Sequence, residues 1–190
     1  MEHLGTKLIQ TPRLILRPFE MGDAEAMFAN WASDPTVTRY LTWSPHESAA
    51  VTRKILEEWT ASYAKNNFYH WAIVLKGLGE PIGSVSVVSQ REQAYMMEIG
   101  YCLGRSWWHQ GIMREALQAV MAFLFDQVGV NRVQARFDPR NARSGKVMLA
   151  CGMQYEGTMR QADWNCRGIC DTSYYGILAA EYRRQKKQKG

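Results

Sequence analysis

The chain predicts an α/β fold of the mixed α+β kind, with one central sheet that is antiparallel at first, turns parallel at one join, and carries helices on its faces. Three observations point there. Residues 71–75 and 82–88 are apolar, strand-like runs joined only by Lys76-Gly77-Leu78-Gly79-Glu80-Pro81, so they must pair antiparallel. Residues 95–103 form a third such run, again after a short connection. Between it and the next strand, 132–137, lies a whole amphipathic helix, which makes that pair parallel. A sheet that changes sense in this way splays at the join, and the gap between the two parallel strands is a slot for a long thin ligand.

The other elements follow from local signals. Thr11-Pro12-Arg13-Leu14-Ile15-Leu16-Arg17-Pro18 reads as a first strand with Leu14 and Leu16 on one face and Arg13, Ile15 and Arg17 on the other. Asp23 is placed to cap a helix running to about residue 31, with Ala26, Met27, Phe28 and Trp31 inward. Residues 33–43 are turn-rich and aromatic. Ser44-Pro45-His46-Glu47 has the form of a capping box with proline at the first helical position. It predicts a helix to about residue 65 that buries Val51, Ile55, Leu56, Trp59 and Tyr63.

After the third strand comes Trp107-Trp108-His109-Gln110-Gly111-Ile112-Met113-Arg114-Glu115-Ala116. A helix follows on Ala116, Leu117, Val120, Met121, Leu124, Phe125 and Val128, with Gly129 as its stop. Strand, glycine loop and helix in that order leave unpaired N–H groups where the helix dipole favours an anion. Gly111 permits both close approach and positive φ. The stretch is a phosphate cradle. Asn141-Ala142-Arg143-Ser144 opens a short helix with Gly152 at its C′ position, and strands around 153–160 and 170–178 complete the sheet. The reading is of a single domain over 1–190, with a core of about 11–178 and a basic tail, 179–190.

Composition narrows the function classes. With 46% apolar and 22% charged residues the chain is globular, and it has no apolar run long enough to span a membrane. Its start lacks the apolar core of a signal peptide, so the expected location is the cytoplasm. Cys102, Cys151, Cys166 and Cys170 show no metal-ligand spacing with the histidines, and neither a metal nor a disulfide is expected. Part of the net charge of +5 sits in Arg183-Arg184-Gln185-Lys186-Lys187-Gln188-Lys189, read as a solvated, frayed end. A basic balance suits an anionic cofactor and nucleic acid alike. An RNA- or ribosome-binding role is the alternative from another class, and the scattered aromatics, with no arginine-rich block, argue against it.

Several of these stretches together resemble the GCN5-related N-acetyltransferase superfamily, and within it the ribosomal-protein alanine N-acetyltransferase branch. Glu98-Ile99-Gly100-Tyr101, the Trp-Trp-His-Gln-Gly-Ile loop and Glu115-Ala116 resemble its motif A. The opening Arg13-Leu14-Ile15-Leu16-Arg17, the Asn141-to-Gly152 helix of motif B, and Asp171 with Tyr174-Tyr175-Gly176 extend the likeness over residues 11–178. In the wider pattern a Gln or Arg is usual where Trp108 stands, and a small residue where Met113 stands.

The resemblance implies an acetyl-CoA-dependent transfer of an acetyl group to a primary amine by direct attack in a ternary complex, with no cysteine nucleophile. The acceptor is left open between a protein N-terminus and a small amine, and the assembly between monomer and homodimer. A non-catalytic acyl-CoA-binding module on the same fold is the other alternative. Trp108, His109, Gln110, Gly111, Ile112, Met113 and Arg114 would hold the pyrophosphate, and Asn141 the pantetheine arm. A backbone N–H near Cys102 or Leu103 would serve the oxyanion. Tyr40 and Trp43 would line the acceptor pocket. Glu98, alone among Met96, Met97, Ile99 and Tyr101, is the candidate base, since a carboxylate in apolar company is a stronger base than a solvated one. The family's motif B tyrosine would fall on Met148, so Ser144, one helical turn after Asn141, is the candidate donor to the leaving thiolate.

Overall fold

A computed structural model describes residues 1–188. Its eight strands are β1 (Ile9–Gln10), β2 (Leu14–Arg17), β3 (His70–Leu75), β4 (Pro81–Arg91), β5 (Met96–Leu103), β6 (Arg132–Phe137), β7 (Gln154–Asn165) and β8 (Gly168–Leu178), in the spatial order β1-β2-β3-β4-β5-β6-β8-β7. Every neighbouring pair is antiparallel except β5 and β6. The mixed sheet expected from connection lengths is therefore the one observed.

Helices α1 (Ala24–Met27), α2 (Pro35–Thr38) and α3 (Ala49–Ser62) precede β3; α4 (Ile112–Phe123) links β5 to β6, α5 (Ala142–Ala150) follows β6, and α6 (Ala179–Lys187) ends the described chain. Because side chains alternate across a strand, β3 feeds two cores. Trp71 and Ile73 join the larger core under α4, with Leu14, Leu16, Ile99, Leu117, Val120 and Val133. Ala72 and Val74 join the smaller one under α1 and α3, with Phe19, Met27, Trp31 and Leu56. All seven positions expected to form the inner face of the helix after the cradle are buried, the last three in a wide π turn, Leu124–Val128, that Gly129 closes at φ 77°.

Four local expectations are corrected. The third helix starts at Ala49 with Ser48 as its N-cap, not at the Ser-Pro pair four residues earlier. His46 is instead buried: its N–H donates to the Ala32 carbonyl and its ring nitrogen bonds the Thr52 hydroxyl at 2.8 Å. Leu56 is buried as expected, but Thr52 is the buried residue of the first turn and Val51 is left 38% exposed. Asp23 does not cap with its side chain; the carboxylate takes the Arg17 guanidinium at 2.7 and 2.8 Å and the Glu20 N–H at 2.8 Å. Strands β7 and β8 form one long hairpin, and β7 runs well past the expected end near residue 160. Finally, the basic tail is not a frayed end, since α6 docks: Tyr182 stacks on Phe125 at 4.7 Å and both Tyr182 and Lys186 bond Asp126 at 2.8 Å. Lys189, counted in that tail, lies outside the described residues.

Gly83 in β4 lies opposite Leu103 of β5, and a Cβ there would meet the Cys102 carbonyl oxygen at 2.4 Å and the Leu103 Cα at 2.9 Å. These are ladder atoms that cannot yield independently. Gly83→Ala is expected to cost about 1–3 kcal/mol, the range of an overpacked core, read as a fall in the urea midpoint at unchanged slope.

Candidate active site

The parallel pair β5–β6 is hydrogen-bonded only over Met96/Arg132, Met97/Val133 and Glu98/Gln134. Beyond Glu98, β5 runs to Leu103 with β4 on one side and no ladder partner on the other. The predicted slot is thus real, and it opens at its far end onto the cradle. Successive peptide groups of a strand point to opposite edges. Gly104 N–H donates to the Ile82 carbonyl on β4 at 2.8 Å, so Gly104 and Cys102 turn their amides to β4. Tyr101 and Leu103 turn theirs to the slot. Of the two expected oxyanion donors only Leu103 is placed for it; Cys102 is spent in the sheet, and its Sγ rests 3.4 Å from the Ser84 hydroxyl in surroundings that push the thiol pKa up by burial.

The cradle is held by non-standard backbone. His109 has φ 63° and Gly111 φ 73°, the latter as N-cap of α4. The first intrahelical bond recorded there runs from Glu115 N–H to the Gly111 carbonyl at 3.0 Å, leaving the amides of Ile112, Met113 and Arg114 at the helix start. Ile112 and Met113 bury their side chains in the core and contribute backbone alone. Met113 therefore takes the small-residue position of the wider pattern without projecting into the anion site. Trp108 donates its indole N–H to the Leu103 carbonyl at 2.7 Å, and Gln110 its amide to the Ser106 carbonyl at 2.9 Å. The amide cluster, the open slot behind it and the space above Gly111 fit a pyrophosphate followed by a pantetheine arm.

Across the slot, Asn141 donates its side-chain amide to the Ser144 hydroxyl at 3.0 Å. Ser144 Oγ thereby serves as acceptor, which leaves its own proton available to another group. The Ser144 carbonyl accepts from the Tyr101 hydroxyl at 3.0 Å, and burial pushes the Tyr101 pKa up. Arg143, one residue before Ser144, lies over the Trp108 ring at 4.6 Å and so joins the two sides of the slot.

On the opposite face of the sheet the expectation for Glu98 is corrected. It is buried, but not alone: Gln134 donates to its Oε2 at 2.6 Å and the Arg136 guanidinium stands 3.0 Å from Oε1. Arg136 is shared, with Asp163 at 3.3 Å. Two carboxylates against one cation leave this point with a formal charge of −1. The partners of Glu98 come from β6, and that of Arg136 from β7, a cluster that no local pattern announces.

Tyr40 and Trp43 are half-buried on the same loop. Tyr40 sits between the guanidinium groups of Arg39 and Arg167, at 5.6 and 5.8 Å, and Trp43 packs on His46 at 5.2 Å. The Leu41 carbonyl accepts the Cys166 N–H at 3.0 Å and the Trp43 carbonyl its thiol at 3.1 Å, so the β7–β8 turn docks onto this loop. Asp138 anchors the same turn, accepting from Asn165 at 2.9 Å and from the Arg140 side chain and backbone, both at 2.9 Å. Sequence reasoning missed Asp138, Arg140, Asn165, Arg136 and Asp163, and also Arg13, whose guanidinium reaches the Gln110 carbonyl at 2.9 Å. Only the Arg13 position carried a sequence signal, as part of the Arg-Leu-x-Leu-Arg strand.

Comparison with known proteins agrees with this geometry. Residues 13–154 match the family model described as an acetyltransferase (GNAT) domain. An uncharacterized N-acetyltransferase of Bacillus subtilis, YoaA, is 30% identical over 171 residues, covering 90% of this chain and 96% of its own. The [ribosomal protein uS5]-alanine N-acetyltransferase of Escherichia coli is 34% identical over 59 residues, 31% of this chain and 30% of its own. A GNAT-family acetyltransferase structure from Bacillus anthracis superposes with a TM-score of 0.80 at 25% identity, over 92% of this chain and 99% of that one.

Burial alone would push the Asp138 pKa up, but the bonds from Arg140 and Asn165 outweigh it and hold the carboxyl at about 2. Its unfolded value is about 3.9, so its contribution to stability is present above that pH and is lost as pH falls toward about 2. Thermal melting of wild type and Asp138→Asn should show a gap that closes over this window. A gap that stays constant from neutral pH downward would refute the anchoring role.

Proposed function

The chain belongs to the GNAT family of acetyltransferases and is an acetyl-CoA-dependent acyltransferase, and we propose that its acceptor is a primary amine that attacks directly within a ternary complex. The observation that carries the reading is the unpaired edge of β5 beyond Glu98, which runs from the Glu98–Arg136–Asp163 cluster toward an amide-rich anion cradle.

Acetyl-CoA, when bound, supplies an activated acyl carbon. The cradle of residues 108–114 holds its pyrophosphate, and the slot-facing amides of β5, Leu103 foremost, orient the arm and offer a donor to the carbonyl oxygen. Glu98, Arg136 and Asp163 attract a cationic amine through their net negative charge, and Glu98 Oε1 or Oε2 takes the proton that must leave before nitrogen can attack. Ser144 Oγ, held as acceptor by Asn141, turns its remaining proton toward the leaving sulfur. Tyr40 and Trp43, positioned by the β7–β8 turn, border the entry of the acceptor. The similarity to an enzyme named for acetylating a ribosomal-protein alanine supports a protein N-terminus as acceptor. The reading also treats residues 1–190 as one domain and takes the whole chain to act in the cytoplasm.

A panel of peptides with free or blocked N-termini and of small amines, with thiol release followed, tests the acceptor class. Release with free but not blocked peptides is expected, and turnover confined to small amines would overturn the N-terminal assignment. Glu98→Gln preserves shape and removes proton acceptance, and should lower kcat by roughly 100-fold with acetyl-CoA KM little changed. Wild-type turnover in that variant would return Glu98 to a structural ion pair.

Ser144→Ala should lower kcat by about 10-fold, because a thiolate is already a fair leaving group. A raised acetyl-CoA KM at constant kcat would make Ser144 a binding residue instead.

A further inference from the structure

Arg13 stands about a hundred residues before the cradle in sequence yet is built into it. The turn between β1 and β2 delivers its guanidinium to the loop, where one nitrogen, Nη1, donates to the Gln110 carbonyl at 2.9 Å and Nε donates to Glu115 Oε2 at 2.6 Å. Glu115 Oε1 is held in turn by the Thr11 hydroxyl at 2.6 Å and the Arg13 N–H at 3.0 Å. Burial alone would raise the Glu115 pKa, but the Thr11 hydroxyl, the Arg13 amide and the Arg13 guanidinium together lower it, so the carboxylate stays charged as the clamp. The third nitrogen, Nη2, has no bond among the described residues and lies 3.6 Å from where a Cβ on Gly111 would be. Arg13, Gly111 and Arg114 line one open cleft of about 570 Å³ beside the cradle. With the Glu115 charge matched by Arg13, Arg114 and the helix N-terminus leave that cleft positive.

We propose that Arg13 is a cofactor-binding residue that presents its Nη2 edge to the nucleotide phosphates of an acyl-CoA, and that Glu115 is the positioning residue that aims it. The inference rests on the acetyl-CoA site described above. Binding of acetyl-CoA should be measured by calorimetry at about 50 and about 300 mM salt, a range over which screening weakens exposed charge contacts. Arg13→Gln should weaken binding by roughly 10-fold or more at low salt and show a flatter salt dependence than wild type. Arg13→Lys should regain the salt dependence without the full affinity, since a point charge replaces the fork; it also carries the test if Arg13→Gln fails to fold. Glu115→Gln sets two effects against each other. Removing a negative charge near an anion would tighten binding, whereas losing the aim of the guanidinium weakens it, and weakening is expected. Affinity of Arg13→Gln within twofold of wild type, or an equal loss at both salt concentrations, would overturn the role of Arg13. Tighter binding by Glu115→Gln would overturn that of Glu115. Wild-type protein that binds no acetyl-CoA would refute the site itself before any variant is compared.

Discussion

The candidate site of this molecule depends on a sheet that stops pairing. The three register pairs between β5 and β6 hold the two halves of the sheet together, and beyond Glu98 and Gln134 the strands part. The parting follows from connectivity. A crossover helix makes the join parallel, and β6 must then also meet β8, which runs antiparallel to it over its whole length. A strand edge left unpaired in the interior is costly unless something completes it. Here the free edge of β5 has the form of a template for an extended arm, and α4 and α5 pack against each other on the face that Tyr101 shares with Ser144.

The two faces of the sheet divide the work. On the α4 face the apolar side chains of β5 and β6 make a core that fixes the direction of α4, and with it the direction of the cradle amides. The other face carries the charged groups. Glu98 and Arg136 project there because they fall on the alternate positions of their strands, so a single periodicity gives each strand both a packing side and a charged side. Glu98 is not buried as one half of a simple ion pair, because its arginine is shared with Asp163, which leaves two carboxylates against one cation.

Rigidity of the aromatic loop is imported from a distance. The β7–β8 turn is tied to Asp138 at the end of β6 and to the carbonyls of Leu41 and Trp43 on the aromatic loop. The loop is thereby braced by the far edge of the sheet, so that a segment lacking long regular structure of its own can present Tyr40 and Trp43 in defined positions. The cradle is braced in the same manner from the other edge, through Thr11 and Arg13.

The sequence by itself determined the order and sense of the central strands, the helix after the cradle, and the cradle's place at its N-terminus. Those features rest on connection length, hydrophobic period and a glycine, which are all local. It also offered Gly111 and Asn141 as site candidates through their match to the family motifs, Ser144 through helical spacing from Asn141, and Glu98 through its apolar neighbours in sequence. What only the tertiary structure decided were the partners. That Arg136 meets both Glu98 and Asp163, that the Cys102 amide is spent on β4 while Leu103 faces the slot, and that Met113 turns into the core are consequences of register and face. The start of α3 at Ala49 and the docking of α6 were likewise set by packing, His46 against Thr52 and Tyr182 against Phe125, which outweighed the proline signal and the charge run. Contacts between residues tens of positions apart leave no trace in a local pattern, because each partner is an ordinary strand or turn residue until the sheet brings them together.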